Sequence, residues 1–279
     1  MPIRRRLPDD KRLNRVHRIN TVHAPATSPP LDPDLLLLAY RSGVFPMADG
    51  RDDGEVFWVE PRKRAILPLD QFHCSHSLAK ALRRGTYSVT CNQAFERVIT
   101  ECAGPRADAQ GTWISHRIEA TYGLLHSLGH AHSVECWRDD ALVGGLYGVG
   151  FDRVFCGESM FSRADNASKV ALAWLVAALR RGGCRLLDCQ FITGHLASLG
   201  AVEISQADYL DQLRAAQRPT EGDGAAEGLG DGLGDGLALG NAAGLALPAG
   251  FAALLADAAG AGASSSPGNF IAQSFTQTS

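Results

Sequence analysis

The strongest hydrophobic patterning lies in the middle of the chain. The runs HSVECW (132–137), ALVGGLYGVG (141–150) and RVFCGE (153–158) are separated by short polar turns and predict an antiparallel meander. At 167–179 the period changes to that of a helix built mostly of good helix formers. Asp165 or Asn166 stands where a short polar side chain can cap its first turn. Gly182 and Gly183 stop it behind Arg180 and Arg181, cations suited to the negative end of a helix. Apolar strands at 153–156 and 184–189 flank it, so the segment predicts a strand–helix–strand crossover. Gly144, Gly145, Gly148 and Gly150 within one strand predict a bulge or the close approach of another backbone.

Upstream, Asp32 and Pro33 open a helix that Gly43 closes. A Gly/Asp-rich loop leads to a short strand at 56–59, and AILPLD, with Pro68, predicts an edge-like strand. Ser75 or Ser77 caps a helix running to Arg84, a strand follows at 86–91, and an amphipathic helix at 93–102. A long loop ends at a cap on Ser115, and the next helix runs over 116–128 until Gly129. Short helices are predicted at 193–199 and 206–216.

Composition changes the picture at the two ends. Residues 1–31 are basic and then Pro-rich, which predicts a solvated arm. From 218 to 279 Gly, Ala and Leu dominate, and this predicts a disordered tail in which LPAGFAALLADAA forms only a transient helix. The net charge of −3 hides a split, because no Lys or Arg follows Arg218. The remainder is therefore more basic than the total and compatible with a phosphate-rich partner. Seven cysteines cannot all pair internally, and most sit singly in apolar or mixed runs, as buried reduced thiols do. No run approaches the ~18 apolar residues of a membrane span.

Three polar groups fall where strands end in this reading. Glu158 ends one strand, and Asp188 and Gln190 end the other, two apart and so on one face. A carboxylate inside LLDCQF needs a partner. The residues alone leave two uses open, capping of the next turn or a site at the strand ends. Cys189 is expected to face the other way, with a thiol pKa raised by its acidic neighbour. His126, His130 and His132 lack the supporting carboxylate spacing of a metal site. Ser168 and Lys169, at the start of the central helix, either hold a phosphate or serve as a cap.

GESMFSR (157–163), NASK (166–169), LLDCQ (186–190), HLASLGA (195–201) and LGHAHSVE (128–135), with GTWI (111–114) and GVFP (43–46), occur in one order between about Leu35 and about Leu213. Together they resemble the leucyl/phenylalanyl-tRNA–protein transferases. The resemblance implies an α+β fold: a small N-terminal domain at 32–68 and a larger GNAT-like, acetyltransferase-like domain with a mixed sheet at 69–217, between disordered tails. It implies a cytoplasmic, monomeric aminoacyltransferase that does not enter membranes. Such an enzyme moves Leu or Phe, with Met a further candidate, from Leu-tRNA or Phe-tRNA to the N-terminal Arg or Lys of an acceptor protein. That peptide bond marks the target for N-end-rule degradation. The ester is already activated, so no cofactor and no metal are implied.

Carried over by position, Asp188 accepts a hydrogen bond or proton from the attacking amine, directly or through Gln190. Gln190 positions, and Glu158 is the anion for the acceptor's basic side chain. The donor side-chain cup comprises Trp113, Leu146, Phe155, Leu175, Leu179 and Leu187, with Met47 at the rim where the family carries tryptophan. Leu175 and Leu179 replace phenylalanines, which implies a roomier cup. Arg62, Lys63, Arg64, Lys80, Arg83 and Arg84 face the tRNA acceptor end. Two other classes stay open on the residues alone. One is a CoA-dependent N-acetyltransferase, against which the glycine-free turn FSRADNASK counts. The other is a non-catalytic tRNA-binding protein.

Overall fold

The computed structural model describes residues 28–105, 111–219, 247–260 and 266–276. The basic arm expected at 1–31 lies, up to residue 27, outside the described residues, as does 220–246 of the expected tail.

Helix α1 (Pro33–Arg41) starts behind Asp32, whose side chain accepts from the N–H groups of Asp34 and Leu35. Strands β1 (Phe45–Met47) and β2 (Phe57–Val59) form a separate antiparallel pair. Strand β3 (Lys63–Ile66) is followed by α2 (His76–Arg83), capped by Ser75. Then come β4 (Ser88–Cys91), α3 (Phe95–Ala103) and α4 (His116–Ser127), the last capped by Ser115. The meander is β5 (Ala131–Arg138), β6 (Ala141–Phe151) and β7 (Val154–Ser162). Helix α5 (Ala167–Arg181) crosses over to β8 (Leu186–Gln190), which pairs parallel with β7. Helix α6 (Gly194–Ala197), strand β9 (Val202–Ser205) and helix α7 (Gln206–Ala216) follow, and α8 (Leu247–Gly260) and α9 (Pro267–Thr276) complete the described chain.

The large sheet is mixed, in the order β4-β5-β6-β7-β8-β3-β9. Strand β3 is therefore not an edge strand. It is paired on both sides, and β9, which the sequence did not suggest, takes the edge. One apolar cluster packs α5, α2, α8 and α9 on one face of the sheet, and a second packs α1, α3, α4 and α7 on the other.

Three local features place the site. First, α5 seats closely on β6, since a Cβ at Gly144 would come within 2.6 Å of the Ala167 Cβ. The expected side-chain cap is absent. Asn166 takes a left-handed conformation instead and makes no capping bond. Second, β7 carries a bulge. Tyr147 pairs with Ser159 and Gly148 with Gly157, so Glu158 is the extra residue in mid-strand rather than a strand end. Third, the β7–β8 ladder runs from Val154↔Leu186 to Cys156↔Asp188 and stops there, and the strands part beyond it.

The tail needs correction where it is described. The apolar stretch is a packed helix, not a transient one. Phe251 of α8 lies against Trp174 with ring centroids 5.3 Å apart, and Asp257 pairs with Arg181 at 2.9 Å. Phe275 of α9 meets Phe72 at 4.8 Å. The outer face of α5 supplies the apolar contact that makes a weakly patterned helix stable.

Candidate active site

Where β7 and β8 part, a cavity of about 370 Å³ opens, within the range of small-ligand sites. Its apolar wall comes from Leu146 and Met160 on β6 and β7, Leu172 and Leu175 on α5, and Leu187 on β8. Trp113, Phe191 and Leu196 add to it from loops and α6. The polar lining comes from irregular backbone: Glu158 from the bulge, Gln190 from the last position of β8, and Thr193 and His195 from the segment that starts α6. Regular strand positions can thus supply the grease while the exceptions supply the chemistry.

Gln190 owes its place to one dihedral. On an even strand it would share a face with Asp188. Its φ of 60° breaks the alternation, and its side chain joins Cys189 in lining the cavity. Cys189 is thus not turned away into the core. Its thiol is nevertheless no nucleophile, because burial and then Asp188 push its pKa well up.

Asp188 is sealed, and the expectation that it meets an incoming amine directly does not hold. It has no exposed surface. Arg64 donates from Nε to Oδ1 at 2.9 Å and from Nη2 to Oδ2 at 2.6 Å. Tyr209 donates to Oδ2 at 3.0 Å, and the Gln190 backbone N–H to Oδ1 at 2.8 Å. Arg64 is in turn held by the Gly43 carbonyl and sandwiched between the rings of Phe45 and Tyr209. Burial works against its charge, but Asp188 more than offsets this and its pKa is raised. Placing Arg64 among tRNA-facing cations is therefore a second error, because a guanidinium committed to a buried bidentate pair has nothing left for a phosphate.

Glu158 has a different surrounding. The Tyr40 hydroxyl donates to its Oε1 at 2.6 Å, so the Tyr122 hydroxyl, in contact with Tyr40, must be the donor in that second bond. Oε2 is buried without a partner, and so is Nε2 of Gln190. Burial raises the Glu158 pKa to about 7, with Asp188 adding to the rise, while Tyr40, Gln190 and Tyr122 oppose it. The sign follows from proton linkage. The folded protein binds this proton more tightly than the unfolded chain, so the group's contribution is complete below about pH 4.5. It is lost as pH rises through about 7. Parent and Glu158→Gln proteins should therefore diverge in urea midpoint between pH 5 and pH 8, with the variant gaining relative stability as pH rises. Parallel pH profiles would contradict the buried, proton-tight carboxyl.

Of the expected cup, Trp113, Leu146, Leu175 and Leu187 line the cavity. Phe155, Leu179 and Met47 do not. Phe155 and Leu179 are fully packed in the core, and Met47 packs against the cluster on the other face. Met160 and Leu172 were missed; the i, i+3 spacing of Leu172 and Leu175 on one helix face was the available signal. Tyr40 and Tyr122 had none, lying 82 residues apart. Arg62, Lys63, Lys80, Arg83 and Arg84 are all exposed, and Lys63 also pairs with Glu203 at 3.0 Å. No helix among the described residues is long and apolar enough to cross a membrane.

Comparison with known proteins gives a consistent result. Residues 66–214 match the profile of the family described as "Leucyl/phenylalanyl-tRNA protein transferase", and residues 30–62 match that family's N-terminal domain. A protein of that name from Novosphingobium aromaticivorans is 64% identical over 258 residues, 89% of this chain and 97% of its own length. Another, from Rhizorhabdus wittichii, is 60% identical over 196 residues, 70% of this chain and 79% of the relative. A third, from Zymomonas mobilis, is 59% identical over 186 residues, 67% of this chain and 69% of the relative. Among solved structures, L-PGS from Bacillus licheniformis overlaps 59% of this chain and 55% of its own at 13% identity, with a TM-score of 0.32.

Proposed function

The chain belongs to the leucyl/phenylalanyl-tRNA–protein transferase family and is an aminoacyltransferase, and from that premise we propose how its cavity works. The donor is Leu-tRNA or Phe-tRNA, with Met-tRNA a third candidate, and the acceptor is the N-terminal Arg or Lys of a protein destined for degradation. The enzyme acts as a cytoplasmic monomer, and its larger domain is GNAT-like.

The donor's side chain takes the apolar wall formed by Leu146, Met160, Leu172, Leu175 and Leu187. The chemistry needs little more than alignment. An α-amine has a pKa of about 7.7–8.0 and is partly neutral near neutral pH. It must be aimed at the ester carbonyl, and the developing oxyanion must find a donor. Gln190 Nε2, a buried N–H group with no partner, is that donor. Glu158 Oε2, a buried acceptor with no partner, takes the proton that the amine sheds. Its pKa of about 7 lies close to that of the amine, the condition for efficient transfer. The C–N bond forms, the ester C–O bond breaks, and the ribose oxygen leaves with a proton. Glu158 thus changes role from side-chain anchor to base. Asp188 becomes a positioning residue, tied to Gln190 through the backbone N–H. Arg62, Lys63, Lys80, Arg83 and Arg84 provide the sequence-independent contact with tRNA phosphates.

The observation that carries this reading is the pairing of an unpartnered acceptor and an unpartnered donor beside one apolar wall. The test is incubation with Leu-tRNA and an Arg-initiated peptide, followed by mass analysis. The parent should add one leucine to the peptide's N-terminus. Glu158→Gln should lose about 100-fold or more in rate while still binding charged tRNA, the usual scale for a general base. A peptide left unmodified by the parent would overturn the activity. A Glu158→Gln protein of parental rate would overturn only the base.

A further inference from the structure

We propose that His195 and Lys169 seat the terminal nucleotide of the donor tRNA. His195 hydrogen-bonds the ribose hydroxyl beside the ester, and Lys169 faces the phosphate on that nucleotide's 5′ side. This rests on the reading of the cavity as the aminoacyl site.

The first observation is a polar atom left over. His195 lines the cavity, and its Nε2 is buried without a partner. Three cavity-lining side chains thus present such atoms inward: a carboxylate oxygen, an amide nitrogen and an imidazole nitrogen. The Tyr147 hydroxyl is also unpartnered, but its ring packs against Phe95 and Tyr122 on the other face of the sheet. Buried polar groups without partners are costly and are expected to be satisfied when a ligand is bound. The carboxylate matches an amine and the amide matches a carbonyl oxygen. A hydroxyl, which both gives and accepts, is what remains of an aminoacyl-ribose end, and a neutral imidazole nitrogen can serve it in either sense. Burial, and then the charge of Lys169, lower the His195 pKa and keep the ring neutral.

The second observation is the sign of the neighbour. Lys169 lies in the first turn of α5, close enough to His195 to act on its charge. It forms no ion pair among the described residues. A free ammonium there repels an acceptor's Arg or Lys side chain and attracts a phosphodiester. The positive end of the helix dipole adds to the attraction. The nucleotide therefore takes this rim, and the acceptor peptide enters elsewhere.

The test uses small donors: the phenylalanyl 3′-ester of adenosine 5′-monophosphate, its 2′-deoxy form, and the ester lacking the 5′-phosphate. Each is assayed for transfer to an Arg-initiated peptide by the parent, His195→Ala, His195→Gln and Lys169→Ala. Loss of the 2′-hydroxyl should lower kcat/KM about tenfold in the parent beyond the ester's own change in reactivity, the scale of one hydrogen bond. In His195→Ala that extra loss should disappear, and in His195→Gln, which keeps a polar group, it should partly return. Loss of the 5′-phosphate should matter less to Lys169→Ala than to the parent. Costs that simply add between enzyme and donor changes would overturn the proposal, because additivity means no contact. Should the parent fail to transfer from every ester and from intact Phe-tRNA alike, the aminoacyl reading itself falls. Transfer by the parent with additive costs in the variants sinks only the nucleotide seat.

Discussion

Replacing Arg64 by leucine is expected to lower the free energy of unfolding by about 3–5 kcal/mol, read from urea denaturation, and to abolish measurable transfer. The side chain is 1% exposed and its partner Asp188 is fully buried. The substitution strands a carboxylate that has no water to turn to, and it leaves the Gly43 carbonyl without its donor. The converse experiment separates scaffold from function. Arg64→Met combined with Asp188→Leu removes both charges, and exchanging a buried ion pair for apolar side chains of similar size is often neutral or stabilising. Most of the lost stability should return. Transfer should stay low, because the Gln190 backbone N–H has lost the Oδ1 that fixes its left-handed turn. If the double variant regained transfer along with stability, Asp188 would have no positioning role.

Leu175→Trp should lower transfer of both Leu and Phe by about 100-fold or more, the scale of an ångström-sized misplacement at a reacting centre. Leu175 projects from α5 into the cavity and is otherwise 1% exposed, so an indole there has only the cavity to occupy. Overpacking of this kind costs about 1–3 kcal/mol of stability, which a thermal scan would register. Leu175→Ala supplies the control that does not depend on tolerance of bulk. By enlarging the wall it should raise the preference for Phe over Leu in competition between the two charged tRNAs. Unchanged rates in Leu175→Trp, or an unchanged Phe/Leu ratio in Leu175→Ala, would place the donor's side chain elsewhere.

The partial success with the cup has a physical reason. Residues carried over by position were right where they fall on the cavity side of a regular element, as with Leu146, Leu175 and Leu187. They failed one layer out, at Phe155 and Leu179, where the same apolar chemistry serves the core. Hydrophobicity marks burial but cannot say what is on the other side of the side chain. Arg64 failed for a related reason. It stands in a run of three cations, and a run reads as one surface, yet a strand turns alternate residues inward.

The order of elements was legible because it is local. Periodicity changes, Asp32, Ser75 and Ser115 as caps, and glycine stops depend on neighbours within a few residues. So was the family, since its motifs recur in one order along the chain. Tertiary structure alone decided what each polar group touches. The bulge that frees Glu158, the left-handed turn that swings Gln190 away from Asp188, and the bonding of Tyr40 to Glu158 across 118 residues all depend on pairings between distant segments. So does the seating of α8 on α5, which turns a weak helical pattern into a packed wall. Local sequence sets backbone preference, whereas burial and partner are properties of the assembled chain, and those two set the charge state and reach of every group in the cavity.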